Sequence, residues 1–154
     1  MNPETSTGEL LRGPREMLAG CIWLARLTDK VRLHRLGKLP DGYTPFLGHP
    51  RGVDGHFLRH FGLSRRDLDA IASAGDDRGV EQWFLSHPNA SKDRIESWNQ
   101  LAPNLGRAGY PAVAELQYVI DHVLAPDARG SEISTLFDAI ELDEAAGLRK
   151  SPAT

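Results

Sequence analysis

Apolar residues in the first third of the chain recur at helical spacing. At about 100° per residue, Leu18, Ile22, Ala25, Leu33 and Leu36 share one arc, and Trp23, Leu24, Leu27 and Val31 cover much of the opposite side. Pro14 suits a first helical turn and Gly37 a C-terminal stop, so the pattern predicts one long helix over 14–36. A helix apolar nearly all round is a buried, central one. Asp29 falls inside the first arc, with Arg26 and Arg32 three residues to either side, within helical contact. A carboxylate among aliphatic neighbours takes up a proton unless it is paired. Arg32 or Arg26 is its expected partner. Lys30 lies on a different arc from Asp29 and reads as a solvated residue.

Further along, the apolar stripes are shorter. Residues 37–53 (GKLPDGYTPFLGHPRGV) hold four glycines and three prolines, a density that neither helix nor strand tolerates. A loop this long is often functional, and it carries Tyr43, Phe46, His49 and Arg51. Phe57, Leu58 and Phe61 then form one helical face, closed at Gly62. Ser64 with Asp67 is a capping-box start for Leu68, Ile71 and Ala72, which stop at Gly75. Asp76 or Asp77 opens a helix facing Val80, Trp83 and Phe84 inward. Ser91 caps one through Ile95, Trp98 and Leu101. Pro111 precedes the stripe Val113, Leu116, Ile120, Val123 and Leu124, and Pro126 ends it. Ile133, Leu136, Phe137 and Ile140 mark the last helix. No segment shows period-2 alternation between hairpin turns. The expected fold is all-α, a single compact domain over 14–146 with one long central helix and about six shorter ones. Residues 1–13 and 147–154 read as tails.

Composition narrows the class. The chain has 154 residues, of which 40% are hydrophobic, and a net charge of -3, which suits one folded domain. A single Cys excludes an internal disulfide framework and a multi-Cys zinc site. No apolar run nears the roughly 18 residues of a membrane span, and MNPETSTGEL lacks a signal-peptide layout. The expectation is a soluble, cytoplasmic protein. The charge is unevenly spread: residues 12–38 carry seven bases and two acids, and residues 115–144 carry eight acids and one base. Opposite fields favour packing of one stretch on the other, within a chain or in a homodimer. Two solvated helix faces would look the same.

The residues also resemble a family. Pro14, Arg15, Gly20, Arg26, Asp29, Lys30, Arg32, Gly37 and Lys38 follow the opening pattern of the bacterial family called domain of unknown function 5069. The similarity continues in DGHFLRHFGLSRRDLDAIASAG, GVEQWF, RIESWN and STLFDAIELDE, over nearly the whole chain. Family members have a short tyrosine-containing turn after the Gly-Lys, where this chain inserts Pro- and Gly-rich residues between Tyr43 and Val53. The resemblance implies a shared fold and carries no reaction.

Several constellations can bear chemistry. Arg26, Asp29, Lys30 and Arg32 suit an anion site, since guanidinium groups oriented by a carboxylate hold an anion bidentately; the plain alternative is a structural ion-pair network. His56 and His60 have a usable metal-ligand spacing, with Asp54 and His49 as further donors, but the Glu of an HExxH signature is absent. No metal and no cofactor are assigned. Cys21 sits among apolar residues as a small hydrophobe, and no serine lies in a nucleophile elbow. FLRHFGLSRRDL has the outline of a DNA-reading helix-turn-helix, against which Asp67, Asp69 and the overall acidity argue. The leading reading is a binding module for a partner protein or a small anion, with Arg26, Asp29, Arg32, Tyr43, Arg51 and Asp54 on its working face. The rival is a hydrolase-like enzyme using Asp29, Tyr43, Asp54 and loop histidines.

Overall fold

A computed structural model describes residues 11–124 and 132–150. Its elements, in chain order, are β1 (Met17–Leu18), β2 (Cys21–Ile22), α1 (Leu24–Arg35), α2 (Val53–Phe61), α3 (Arg65–Ser73), α4 (Asp77–Ser86), α5 (Lys92–Leu101), α6 (Val113–His122) and α7 (Leu136–Lys150). Short 3-10 turns lie at Thr44–Phe46 and Ala102–Asn104. The protein is mainly helical, as its stripes predict.

The helix expected over 14–36 needs correction. Only its second part forms, as the 12-residue α1, and α7, with 15 residues, is longer. Residues 17–22 fold instead into an antiparallel hairpin, Met17 opposite Ile22 and Leu18 opposite Cys21. Ala19 and Gly20 both take left-handed backbone, φ 57° and 72°, as the tight turn between twisted strands requires, and glycine adopts it without strain. A two-stranded ribbon is marginal alone, so its backbone groups need other partners. Helix α5 supplies them. Asn99 accepts from the Ile22 N–H and donates to the Gly20 carbonyl, each at 2.9 Å. Trp98 Nε1 donates to the Ile22 carbonyl at 2.7 Å. The chain then turns at Trp23, φ 80°, and enters α1.

Helices α3, α4 and α5 begin at the caps the sequence offers, α6 ends at His122, and the stop expected at Pro126 lies outside the described residues. Ser64 and Asp67 close a capping box, Asp76 accepts from the Gly79 N–H and Ser91 from the Arg94 N–H. Gly62 ends α2 in the left-handed region, with Leu63 buried behind it. Helix α1 packs along α3, α2 against α5, and α6 against α7. Phe57, Phe61, Phe84 and Trp98 stack in the core, ring centroids 4.9–6.2 Å apart. The 37–53 segment is pinned through buried Leu39 and Leu47. Its backbone lies so close to α2 that a Cβ at Gly55 would strike the His49 and Pro50 carbonyl oxygens.

Most of the expected N-terminal tail, residues 1–10, and residues 151–154 lie outside the described residues. Leu11, however, is buried and Arg12 is tied down, and α7 runs on past Gly147. Arg12 also corrects the partner expected for Asp29. Its backbone N–H, Nε and Nη2 all donate to that carboxylate at 2.8–3.1 Å, so Asp29 is held from outside its own helix rather than by Arg26 or Arg32. Arg12 reaches on to Asp77 at 2.8 Å, where Arg32 joins at 3.0 Å.

This junction has a pH consequence. The hydrogen bond from Arg12, then that from Arg32, holds the Asp77 carboxyl below its ordinary 3.8. A carboxyl with a lower pKa folded than unfolded adds stability above the unfolded value and loses it as pH falls through the folded one. Urea midpoints should therefore drop below about pH 4, and Asp77→Asn should flatten that acid limb. An unchanged limb in the variant would show the junction to be idle.

Candidate functional site

Between α1, the 37–53 segment, α6 and α7 lies a cavity of about 670 Å³, a size that suits a small-molecule ligand. One wall is the loop, through Tyr43, Phe46, His49 and Arg51. The opposite wall is apolar: Val119, Val123 and Leu124 from α6 and its end, with Leu136, Ala139 and Ile140 from α7. Trp23, Arg26 and Lys30 form the floor, and Glu144 closes one side. Phe46, Tyr118 and Val123 are exposed and flank the mouth.

The floor is built from two buried ion-pair clusters. In the first, Lys30 is 5% exposed and Asp54 1%; Lys30 Nζ donates to both Asp54 oxygens at 2.8 Å. Trp23 Nε1 donates to the same carboxylate at 2.8 Å and the Gly48 N–H at 2.9 Å, so four hydrogen bonds converge on it. The ammonium also sits 4.9 Å from the Trp23 ring centroid, a favourable cation–π position. The expectation that Lys30 is solvated is thus corrected. A signal for this was available: at helical spacing Lys30 falls about 20° from Trp23, at the edge of the apolar arc that runs on to Leu27, and a lysine there must find a carboxylate. Burial lowers the basicity of Lys30, and Asp54 offsets only part of that.

The second cluster joins the two ends of the chain. Arg26 donates through both terminal nitrogens to Glu144 and also to the Arg12 carbonyl. The Tyr43 hydroxyl donates to Glu144 at 2.7 Å. Burial, with the Glu144 charge, raises the Tyr43 pKa well above the ordinary range, so the phenol stays a neutral donor. Arg26 is 2% exposed, and its Nε–H, buried as well, has no hydrogen-bond partner among the described residues. At the rim, Arg51 pairs with Glu115 at 3.2 Å. The carboxyl of Glu115 is pushed up by burial but held lower overall by backbone and Arg51 hydrogen bonds.

The structure therefore brings four of the six expected ligand residues to one place. Arg26, Tyr43 and Arg51 line the cavity, and Asp54 lies behind Lys30. Asp29 and Arg32 belong instead to the Arg12–Asp77 junction and are not among the lining residues. Of the hydrolase set, Tyr43 and His49 line the cavity and Asp54 lies behind Lys30, while Asp29 stands at the junction. Trp23 and Glu144 are site residues that the sequence does not single out, and Lys30, placed in the anion constellation but read as solvated, is a third, whose burial the structure reveals. The opposite charge fields meet within one chain, as Arg15 on Asp138 and Glu141 and Arg26 on Glu144.

The remaining candidates fall elsewhere. His60 Nε2 contacts the Arg94 carbonyl at 2.9 Å while His56 Nδ1 faces Arg59. Among the described residues no group of three or more His, Cys, Asp and Glu is placed to hold a metal ion, and no helix is long and apolar enough to cross a membrane. Arg65, one of the two arginines of the helix-turn-helix reading, turns back to the Leu47 and Gly48 carbonyls. No curated protein matches the chain. Its residues 8–146 do match the model of the family described as a domain of unknown function (DUF5069), and the chain belongs to that family.

Proposed function

We propose that the protein is a helical binding module whose cavity holds a small amphipathic organic anion, with an apolar or aromatic body and one acidic group. The observation that carries this reading is the Nε–H of Arg26. A buried guanidinium donor without an acceptor is costly, and here it belongs to a residue lining a cavity whose opposite wall is apolar. The acidic group of a ligand supplies the missing acceptor, and the exposed Arg51 offers a second contact at the rim. The apolar wall of α6 and α7 takes the body. A single buried Cys21 suits a reducing compartment such as the cytoplasm.

The probe is 8-anilinonaphthalene-1-sulfonate, an aromatic anion of this chemistry. Its fluorescence should rise on the folded protein while the near-ultraviolet circular dichroism is retained. Val119→Trp, which fills the cavity, should abolish the rise. Arg51→Ala should weaken binding about two- to fivefold, the value of an exposed charge contact. Absence of binding, or binding indifferent to Val119→Trp, would overturn the proposal.

A further inference from the structure

We infer that Lys30 is a reactive amine that forms an imine with an aldehyde or ketone group on a ligand in the cavity. The inference rests on the cavity's being a ligand site, and adds a covalent step there. Lys30 is the lysine that lines the cavity, whereas Lys38 and Lys92 are exposed. A lysine becomes nucleophilic when desolvation and a neighbouring cation disfavour its charged form and a base stands ready for the proton. All three conditions are met. Burial is the largest influence on Lys30, and Arg26 adds to it; Asp54 and Glu144 pull the other way. Asp54 is within 2.8 Å of Nζ. It is held in place by Trp23 Nε1 and the Gly48 N–H, so the base does not have to be recruited. The Trp23 ring and the aliphatic wall provide a dry seat for an apolar carbonyl compound.

The step balances without an oxidant or reductant. The Lys30 ammonium passes one proton to Asp54, and the freed lone pair attacks the carbonyl carbon. The adduct nitrogen loses a second proton, the carbinol oxygen takes both and departs as water, and the carbon–nitrogen double bond closes as a protonated imine. Asp54 ends as it began, and hydrolysis runs the same route backwards.

The test uses the intact protein with 2-naphthaldehyde and sodium cyanoborohydride, followed by peptide mass mapping. Lys30 should carry about ten times the reduced adduct of Lys38 or Lys92, because seating the naphthyl ring in the cavity concentrates the aldehyde beside it, and about 1.4 kcal/mol of such binding is a tenfold gain. Lys30→Arg, which keeps a cation beside Asp54, should lose that label and keep the fold. Labelling of Lys38 and Lys92 without Lys30 would overturn the inference. A parallel measurement separates this failure from that of the cavity reading, because 2-naphthoate carries no aldehyde. If it displaces the fluorescent sulfonate while Lys30 stays unlabelled, the cavity binds and the amine is inert. If the sulfonate never binds and Lys30 stays unlabelled, both readings fall.

Discussion

Replacing Asp54 by Ala should cost roughly 3–5 kcal/mol, because the change strands a buried ammonium without its counter-ion. Asp54 also accepts from Trp23 Nε1 and the Gly48 N–H, and each orphaned donor adds about 1–3 kcal/mol. Asp54→Asn removes the charge and keeps one accepting oxygen, while its NH2 group turns on whichever donor, Trp23 Nε1 or the Gly48 N–H, the other oxygen served. In that variant Lys30 keeps a depressed folded pKa, with only the Glu144 charge left to raise it. The unfolded chain then binds the extra proton, so stability should climb as pH rises from neutral toward 10. Adding Lys30→Met should make the double variant more stable than Asp54→Asn alone, the coupling expected of residues in contact. Urea denaturation at several pH values measures all three. A double variant no better than the single one would mean that Lys30 reaches water.

Trp98→Ala is expected to be comparably severe, at roughly 3–5 kcal/mol for loss of a large buried side chain. The indole is fully buried against Phe57 and Phe61. It also holds the Ile22 carbonyl, so the loss extends to the β1–β2 hairpin. Trp98→Phe should retain most of the packing and lose the hydrogen bond, giving an intermediate midpoint. Each 1 kcal/mol corresponds to about 2–4 °C in Tm for a chain of this size. A Trp98→Ala protein melting within 2 °C of the parent would refute the account of how the hairpin is anchored.

The helices from α2 onward were legible because their punctuation is local. Ser64, Asp67, Gly62 and Ser91 act on backbone groups within four residues, and such signals survive in a single sequence. The hairpin was not legible for the opposite reason. Met17, Leu18, Cys21 and Ile22 are apolar at spacings that a helix also accepts, and what decides between the two is Trp98 and Asn99, 76 and 77 residues from Ile22. The site divides along the same line. Arg26 and Tyr43 were visible as charged or aromatic residues in the right segments, but Glu144 sat unremarked in an acidic run. The partner of Asp29 was sought on its own helix, whereas Arg12 comes from a segment that polarity alone assigns to a tail. Lys30 is the one miss for which the helical wheel already held the answer.

The bond from Tyr43 to Glu144 spans 101 residues, and that from Arg26 spans 118. During synthesis the chain leaves the ribosome with α1 and the loop long before α7 exists, and contacts so remote in sequence are slow to close. Until α7 docks, the buried arginine lacks Glu144 and the cavity lacks Leu136, Ala139 and Ile140 from its apolar wall. A nascent chain halted before Leu136 should therefore expose Trp23, which stacks on Phe137 in the folded protein, to any chaperone that reads greasy surface, and the capacity to hold a ligand would arrive only with α7.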